Sequence, residues 1–262
     1  MILLAVETSS VRGSLALREG SKPAREILFE EGLVHGREVT ARLEDLLGLE
    51  GLEPASIGAI AVGIGPGSYT GLRVGVTAAK SLAFALRIPV VAESSLLVLA
   101  AGADREAART PTLMGPPKRR EMMGPPKRRA VLLPVLDARQ GLFFHGIFEA
   151  SAGRIERLSA DGAALPGEIL AALRASGAHE AVVLGEGADA FLAAAGAVEE
   201  GSLSLRRLDR ESDLPRAGVL AEIAAERASR ARFDAEAVHS LEPAYLRITE
   251  AERKLALGRG AQ

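Results

Sequence analysis

The chain has 262 residues, a length suited to one large domain or two of about 100–150 residues each, and its 48% apolar and 25% charged content excludes disorder of the chain as a whole. Aromatics are only 3%, with no Trp and two Tyr, which speaks against a groove that stacks single-stranded nucleic acid along aromatic platforms. A net charge of −2 advertises no DNA or membrane partner, and the absence of Cys excludes disulfides, thiolate zinc sites and a Cys nucleophile.

Ile2–Val6 is a short apolar run with no basic residues before it and Glu7 directly after it, so it reads as a strand and not as a signal peptide. Glu7-Thr8-Ser9-Ser10 closes it and Gly13–Leu17 reopens it, the pattern of two strands joined by a tight polar turn. Glu26–Glu30 reads as a third strand. His35–Leu47 changes period: Val39, Leu43, Leu46 and Leu47 share one helical face. Ile57–Ile64 is a buried strand broken by Gly65-Pro66-Gly67, and Ser68 or Thr70 caps a long helix to Leu86. Ile88–Ala92 is a strand and Ser94–Ala103 a helix.

The second half repeats this grammar. Val131–Leu136 and Leu142–Glu149 are strands around the turn Asp137-Ala138-Arg139-Gln140-Gly141, followed by a strand at Arg154–Ser159. A helix at Pro166–Ala175, a strand at Ala181–Leu184 and helices at Ala188–Ala195 and Leu214–Arg232 complete it. No apolar run reaches the roughly 18–20 residues of a membrane span, so the expectation is a soluble cytoplasmic α/β protein. Three antiparallel strands followed by alternating helix and strand, built twice, fit two mixed-sheet lobes with helical crossovers. That is the layout of the duplicated actin-like ATPase (ribonuclease H-like) fold, with lobes at 1–109 and 131–262, the latter including a C-terminal tail.

Between the lobes, at 110–130, stands a basic, Pro-rich segment. Met114-Gly-Pro-Pro-Lys-Arg-Arg120 recurs as Met123-Gly-Pro-Pro-Lys-Arg-Arg129. Pro-Pro pairs forbid helix and the composition cannot pack, so it reads as a linker. Lys118, Arg119, Arg120, Lys127, Arg128 and Arg129 also suit an arm touching tRNA phosphates, with an affinity that falls as salt rises.

Gly65, Gly67 and Ser68 sit at a strand-to-helix junction, where bare backbone N–H groups can hold an anion or nucleotide phosphate; the Lys-Ser/Thr ending of a Walker loop is absent. In the helix that follows, Leu72, Val76, Ala79, Ala83 and Leu86 form the sheet-facing stripe, while Gly71, Gly75 and Ala78 lie on an adjoining face. Each helical Gly costs about 1 kcal/mol relative to Ala, so this face predicts close approach by another backbone. Arg73, Thr77, Lys80 and Phe84 form the rim of such an interface.

Val6–Ser10, the run Gly65-Pro-Gly-Ser-Tyr-Thr-Gly-Leu-Arg-Val-Gly75, Ala79–Ala83, Asp137-Ala138-Arg139 and Pro243-Ala-Tyr-Leu-Arg247 together resemble the TsaB (YeaZ) family, in family order from residue 2 to 247. The resemblance implies a non-catalytic partner of TsaD, acting with the ATPase TsaE to add the threonylcarbamoyl group to the tRNA adenosine beside the anticodon. It further implies self-association of the isolated chain, no cofactor bound by the chain alone, and ATP or ADP at the joint with TsaD. Leu142 departs from the family, where an acidic residue is usual.

The catalytic paralogue presents His-x-x-x-His where this register puts Ser95 and Leu99, which make no metal site. His35, His145, His179 and His239 share no ligand spacing. The alternatives are a glycoprotease-like metalloenzyme or a small-molecule kinase of the same fold, for which Glu7 and Asp137 are the only candidate carboxylates. Val39, Leu43, Gly71, Arg73, Gly75, Thr77, Ala78, Lys80 and Phe84 are therefore expected to pack on TsaD or on a second copy, with no catalytic and no metal-binding residue. Replacing Gly75 by Leu is expected to separate the subunits and leave the monomer folded.

Overall fold

The computed structural model describes residues 1–29, 36–109, 130–151, 154–196, 203–208 and 213–246. Its first sheet runs β3-β2-β1-β4-β5: β1 (Ile2–Glu7), β2 (Ser14–Glu19) and β3 (Arg25–Leu28) are antiparallel neighbours, while β4 (Ile57–Gly63) and β5 (Val90–Glu93) join β1 in parallel. Strand alternation sorts β1 onto two faces. Leu4 and Val6 face a core closed by α1 (Gly36–Glu50) and α2 (Tyr69–Leu86), where Val39, Leu46, Val76, Ala79 and Ala83 are buried. Ser68 caps α2 by accepting from the Gly71 amide at 3.2 Å, and Arg87 ends it in the left-handed region at φ 54°.

The other face of that sheet is lined by Leu3, Ala5, Ala16, Ala59 and Ala61. Small residues there admit a helix at short range, and the helix is α6 (Ala217–Arg230), which presents Ala217, Leu220, Ala221, Ala224 and Ala228. Its first amide, at Ala217, donates to Ser14 Oγ at 2.8 Å.

The second sheet runs β10-β7-β6-β11-β12 from β6 (Ala130–Asp137), β7 (Phe143–His145), β10 (Gly162–Ala164), β11 (Glu180–Leu184) and β12 (Ser204–Arg207). The hairpin partner expected at Leu142–Glu149 is broken into β7 and β8 (Phe148–Ser151). Ile147 turns out of the ladder, its amide donating to Ser159 Oγ and its carbonyl accepting from Leu158 and Ser159. The strand beyond is broken in step, β9 (Arg154–Arg157) pairing with β8 and β10 with β7. Allowing for these breaks, the second sheet repeats the order of the first. One face is covered by α4 (Pro166–Ala175) and α5 (Ala188–Gly196) through Ile169, Leu173 and Phe191.

Its other face is covered by α3 (Ser95–Arg109), through Leu96, Leu99, Ala100 and Ala103 against Leu132, Leu136, Phe148 and Val182. α3 and α6, the last long helix of each half, thus pack on the other half's sheet, so packing does not follow the boundary drawn in sequence at residue 109. Arg105 on α3 pairs with Glu222 on α6 at 2.5 Å, Ser94 Oγ donates to Asp161 at 2.5 Å, and Arg227 pairs with Glu93. After α6 a short α7 (Ala235–Ser240), capped by Asp234, leads into an extended strap, 241–246, that returns over α2. No described helix is long and apolar enough to cross a membrane.

Candidate functional site

The first candidate is the end of β1. Glu7 is fully buried: its carboxylate accepts from the Ser9 amide at 2.9 Å and from Ser95 Oγ at 3.0 Å, and Ser95 Oγ accepts from the Gly65 amide at 3.2 Å. Gly63 makes room for it, since a Cβ there would overlap the carboxylate. Burial pushes the Glu7 carboxyl above its ordinary range, and the hydrogen bonds from Ser9 and Ser95 only partly oppose that. In this conformation the carboxylate has no solvent access.

The junction 65–68 lies directly on the β1–β2 turn. The Ser68 amide donates to Ser9 O at 2.6 Å, the Gly65 amide to Ser95, and a Cβ on Gly67 would overlap Ser9 O. The anion cradle expected at Gly65, Gly67 and Ser68 is corrected accordingly. The Gly65 and Ser68 amides are engaged within the chain, and Gly67 faces a carbonyl oxygen, which repels a phosphate. The residues present do not fit a nucleotide phosphate.

The glycine face of α2 is corrected too. The backbone that approaches it belongs to the same chain. A Cβ on Gly71 would overlap Thr8 O and one on Gly75 would overlap Thr8 Oγ1, while Thr8 Oγ1 donates to Gly71 O at 2.8 Å. Gly71 and Gly75 are therefore buried under the β1–β2 turn and are not available to a partner, and a Leu at position 75 has no room. Lys80 is also engaged, its ammonium donating to the carbonyls of His239 (2.6 Å) and Leu241 (3.0 Å). Phe84 is half-exposed and meets Phe233 edge-on at 6.2 Å.

What the fold does bring together is a groove of ≈ 500 Å³ between α1 and α2, lined by Val39, Thr40, Leu43, Arg73, Val74, Thr77, Ala78, Ser81 and Leu82. Val39 and Leu43 form its floor, Thr77 and Ser81 its exposed rim, and Arg73 carries an exposed guanidinium. Five of the nine expected contact residues thus share this surface.

Sequence reasoning missed the neighbour of that groove. The Ala244 amide donates to Ile64 O at 2.8 Å and docks the strap on the 65–68 junction. Tyr245 then packs against Tyr69 with ring centroids 5.3 Å apart and planes tilted by 33°, and Arg73 lies 5.4 Å from the Tyr69 centroid with its guanidinium donating to the Tyr69 hydroxyl at 3.0 Å. The only tyrosines in the chain meet here, 50% and 47% exposed. Both lie in segments that stood out in the sequence, but nothing there joins the two.

In the second half Asp137 occupies the place of Glu7 and accepts from the Arg139 amide at 2.7 Å, but it is exposed. Ser95 is buried beside Glu7 and Leu99 lies in the core against the second sheet. His145 lies on β7, His179 in the connection between α4 and β11, and His239 on α7, and among the described residues no three His, Asp or Glu gather as metal ligands. His35, Arg247 and the basic repeat (Lys118, Arg119, Arg120, Lys127, Arg128, Arg129) lie outside the described residues.

Two sheets of the same strand order, antiparallel on one side of the central strand and parallel on the other, define a duplicated actin-like fold. Two Pseudomonas aeruginosa structures match nearly throughout. A protein described as similar to peptidase YEAZ is 26% identical with a TM-score of 0.72, and YeaZ itself is 25% identical with a TM-score of 0.70; each alignment covers 94% of this chain and 99% of the other. The tRNA threonylcarbamoyladenosine biosynthesis proteins TsaB of Bacillus subtilis and Escherichia coli are each 29% identical over 97% of this chain, and over 97% and 98% of their own lengths. The TsaD family, described as tRNA N6-adenosine threonylcarbamoyltransferase, matches residues 34–115. Over nearly its whole length the chain is thus similar to TsaB (YeaZ) proteins.

Proposed function

We propose that this chain serves tRNA threonylcarbamoyladenosine biosynthesis as a non-catalytic subunit, docking TsaD through the α1–α2 groove and working with TsaE. The observation that carries this reading is the sealed Glu7. The strand-end carboxylate that a kinase of this fold would use is buried under Gly63, Ser95 and the 65–68 junction. The apolar floor of the groove, with a polar rim and one guanidinium, has the make-up of a protein interface. The same face would pair two copies about a two-fold axis when TsaD is absent. Any ATP or ADP at that joint is not held through the Gly65 and Ser68 amides, which are engaged within the chain.

Reconstitution tests the reading. The chain alone, given tRNA, threonine, bicarbonate and ATP, is expected to modify nothing; with the organism's TsaD and TsaE and the carbamoyl-adenylate synthase, modification appears. Ala78→Arg fills the groove and is expected to abolish co-purification with TsaD at unchanged circular dichroism. Turnover without TsaD, or loss of turnover in the complex on Glu7→Gln, overturns it.

A further inference from the structure

Four of the nine aromatic side chains of this protein are interior: Phe29, Phe143, Phe148 and Phe191 are buried. Tyr69 and Tyr245 are not. The two rings meet with their planes tilted by 33°, and each residue remains about half-exposed. The pair is held from both sides, Tyr69 at the start of a capped helix and Tyr245 by the Ala244 amide on Ile64 O. The rings are thus pre-positioned, and a ligand that stacks on them orders little further. The hydrogen bond that Arg73 makes here goes to a neutral phenol, which leaves its positive charge uncompensated by that contact.

We propose that the Tyr69–Tyr245 pair with Arg73 is a stacking site for one unpaired base of RNA, with Arg73 facing the adjoining phosphate. The proposal rests on the tRNA-modification reading above and assigns a contact within it. An exposed aromatic face beside a guanidinium is the chemistry that holds unpaired bases, and it tolerates any base because each has a π-face. The low aromatic content argues against a platform many nucleotides long. A single stacked base needs only this pair. Glu242, exposed three residues before Tyr245, lowers the net positive charge near the pair.

The test uses the full chain and two end-labelled probes, an octaadenylate and an abasic phosphodiester of equal length, read by fluorescence anisotropy. The octaadenylate is expected to bind about tenfold or more tighter than the abasic probe. Tyr245→Phe should keep that preference, while Tyr245→Ala, Tyr245→Leu and Tyr69→Ala should each erase most of it. Arg73→Gln should reduce the salt slope by about one phosphate. Equal binding of both probes to the unaltered chain overturns the proposal, as does a preference that survives Tyr245→Ala. If Tyr245→Leu binds like Tyr245→Phe, the contact is apolar and not stacking, and the proposal fails. If Tyr245→Ala loses TsaD but keeps the octaadenylate preference, the pair is a protein contact and the proposal likewise fails. Failure of the subunit reading shows separately, as absence of TsaD co-purification with the unaltered chain.

Discussion

Thr8 and Gly75 stand in direct contact: the Thr8 hydroxyl donates to Gly71 O at 2.8 Å and fills the place a Cβ on Gly75 would take. Thr8 is fully buried and its turn is fixed by the Ser68 amide on Ser9 O, so the side chain cannot swing aside cheaply.

Gly75→Ala is therefore expected to destabilise the chain by roughly 1–3 kcal/mol, overpacking exceeding the helix-propensity gain of about 1 kcal/mol. In a Thr8→Ala background, where the hydroxyl is gone, the same substitution should cost much less. Chemical denaturation of the four variants measures this as a double-mutant cycle. Additive effects would mean that the two residues do not press on each other.

Glu7 gives the stability a pH dependence of definite sign. Its folded carboxyl titrates above the ordinary 4.5, so the folded state holds this proton more tightly than the unfolded state does. Its contribution is fully present below pH 4.5 and is lost as pH rises through the raised value. Glu7→Gln, neutral and nearly isosteric, removes that loss. The urea midpoint of the variant should therefore gain on the unaltered chain between pH 4 and pH 8, and a gap that narrows with pH contradicts the burial argument.

Lys80 ties α7 and the start of the strap to α2 through two carbonyls, those of His239 and Leu241. Lys80→Met keeps most of the apolar stem and removes both charge-assisted bonds, at a cost of about 1–3 kcal/mol. The loss should appear locally, as faster hydrogen exchange at the Ala244 amide, with strand amides of β1 and β4 unchanged. Unaltered exchange at Ala244 would show that the strap is held by its other contacts.

Much of this architecture was legible because burial on one side of an element writes a period into the sequence. Leu72, Val76, Ala79 and Ala83 face the core as the helical spacing requires. The break at Ile147 was not legible, since an apolar run reads the same whether it continues the ladder or turns out of it. β10 and β12 escaped because one is small residues and the other mostly polar. The glycines of α2 were recognised as demanding a close neighbour, but spacing cannot name the neighbour, which proved to be Thr8. Tyr69 and Tyr245 meet only through the tertiary path of the strap, which no local pattern contains.

The exchange of α3 and α6 between the two sheets has a consequence for dissection. Neither half carries the lid of its own sheet: 1–113 expressed alone lacks α6 and bares Ala5, Ala16, Ala59 and Ala61, while 130–262 alone lacks α3 and bares Leu132, Leu136 and Val182. The two fragments should be insoluble or molten apart, yet recover a native spectrum and co-elute when produced together, like two hands that each hold the other's wrist.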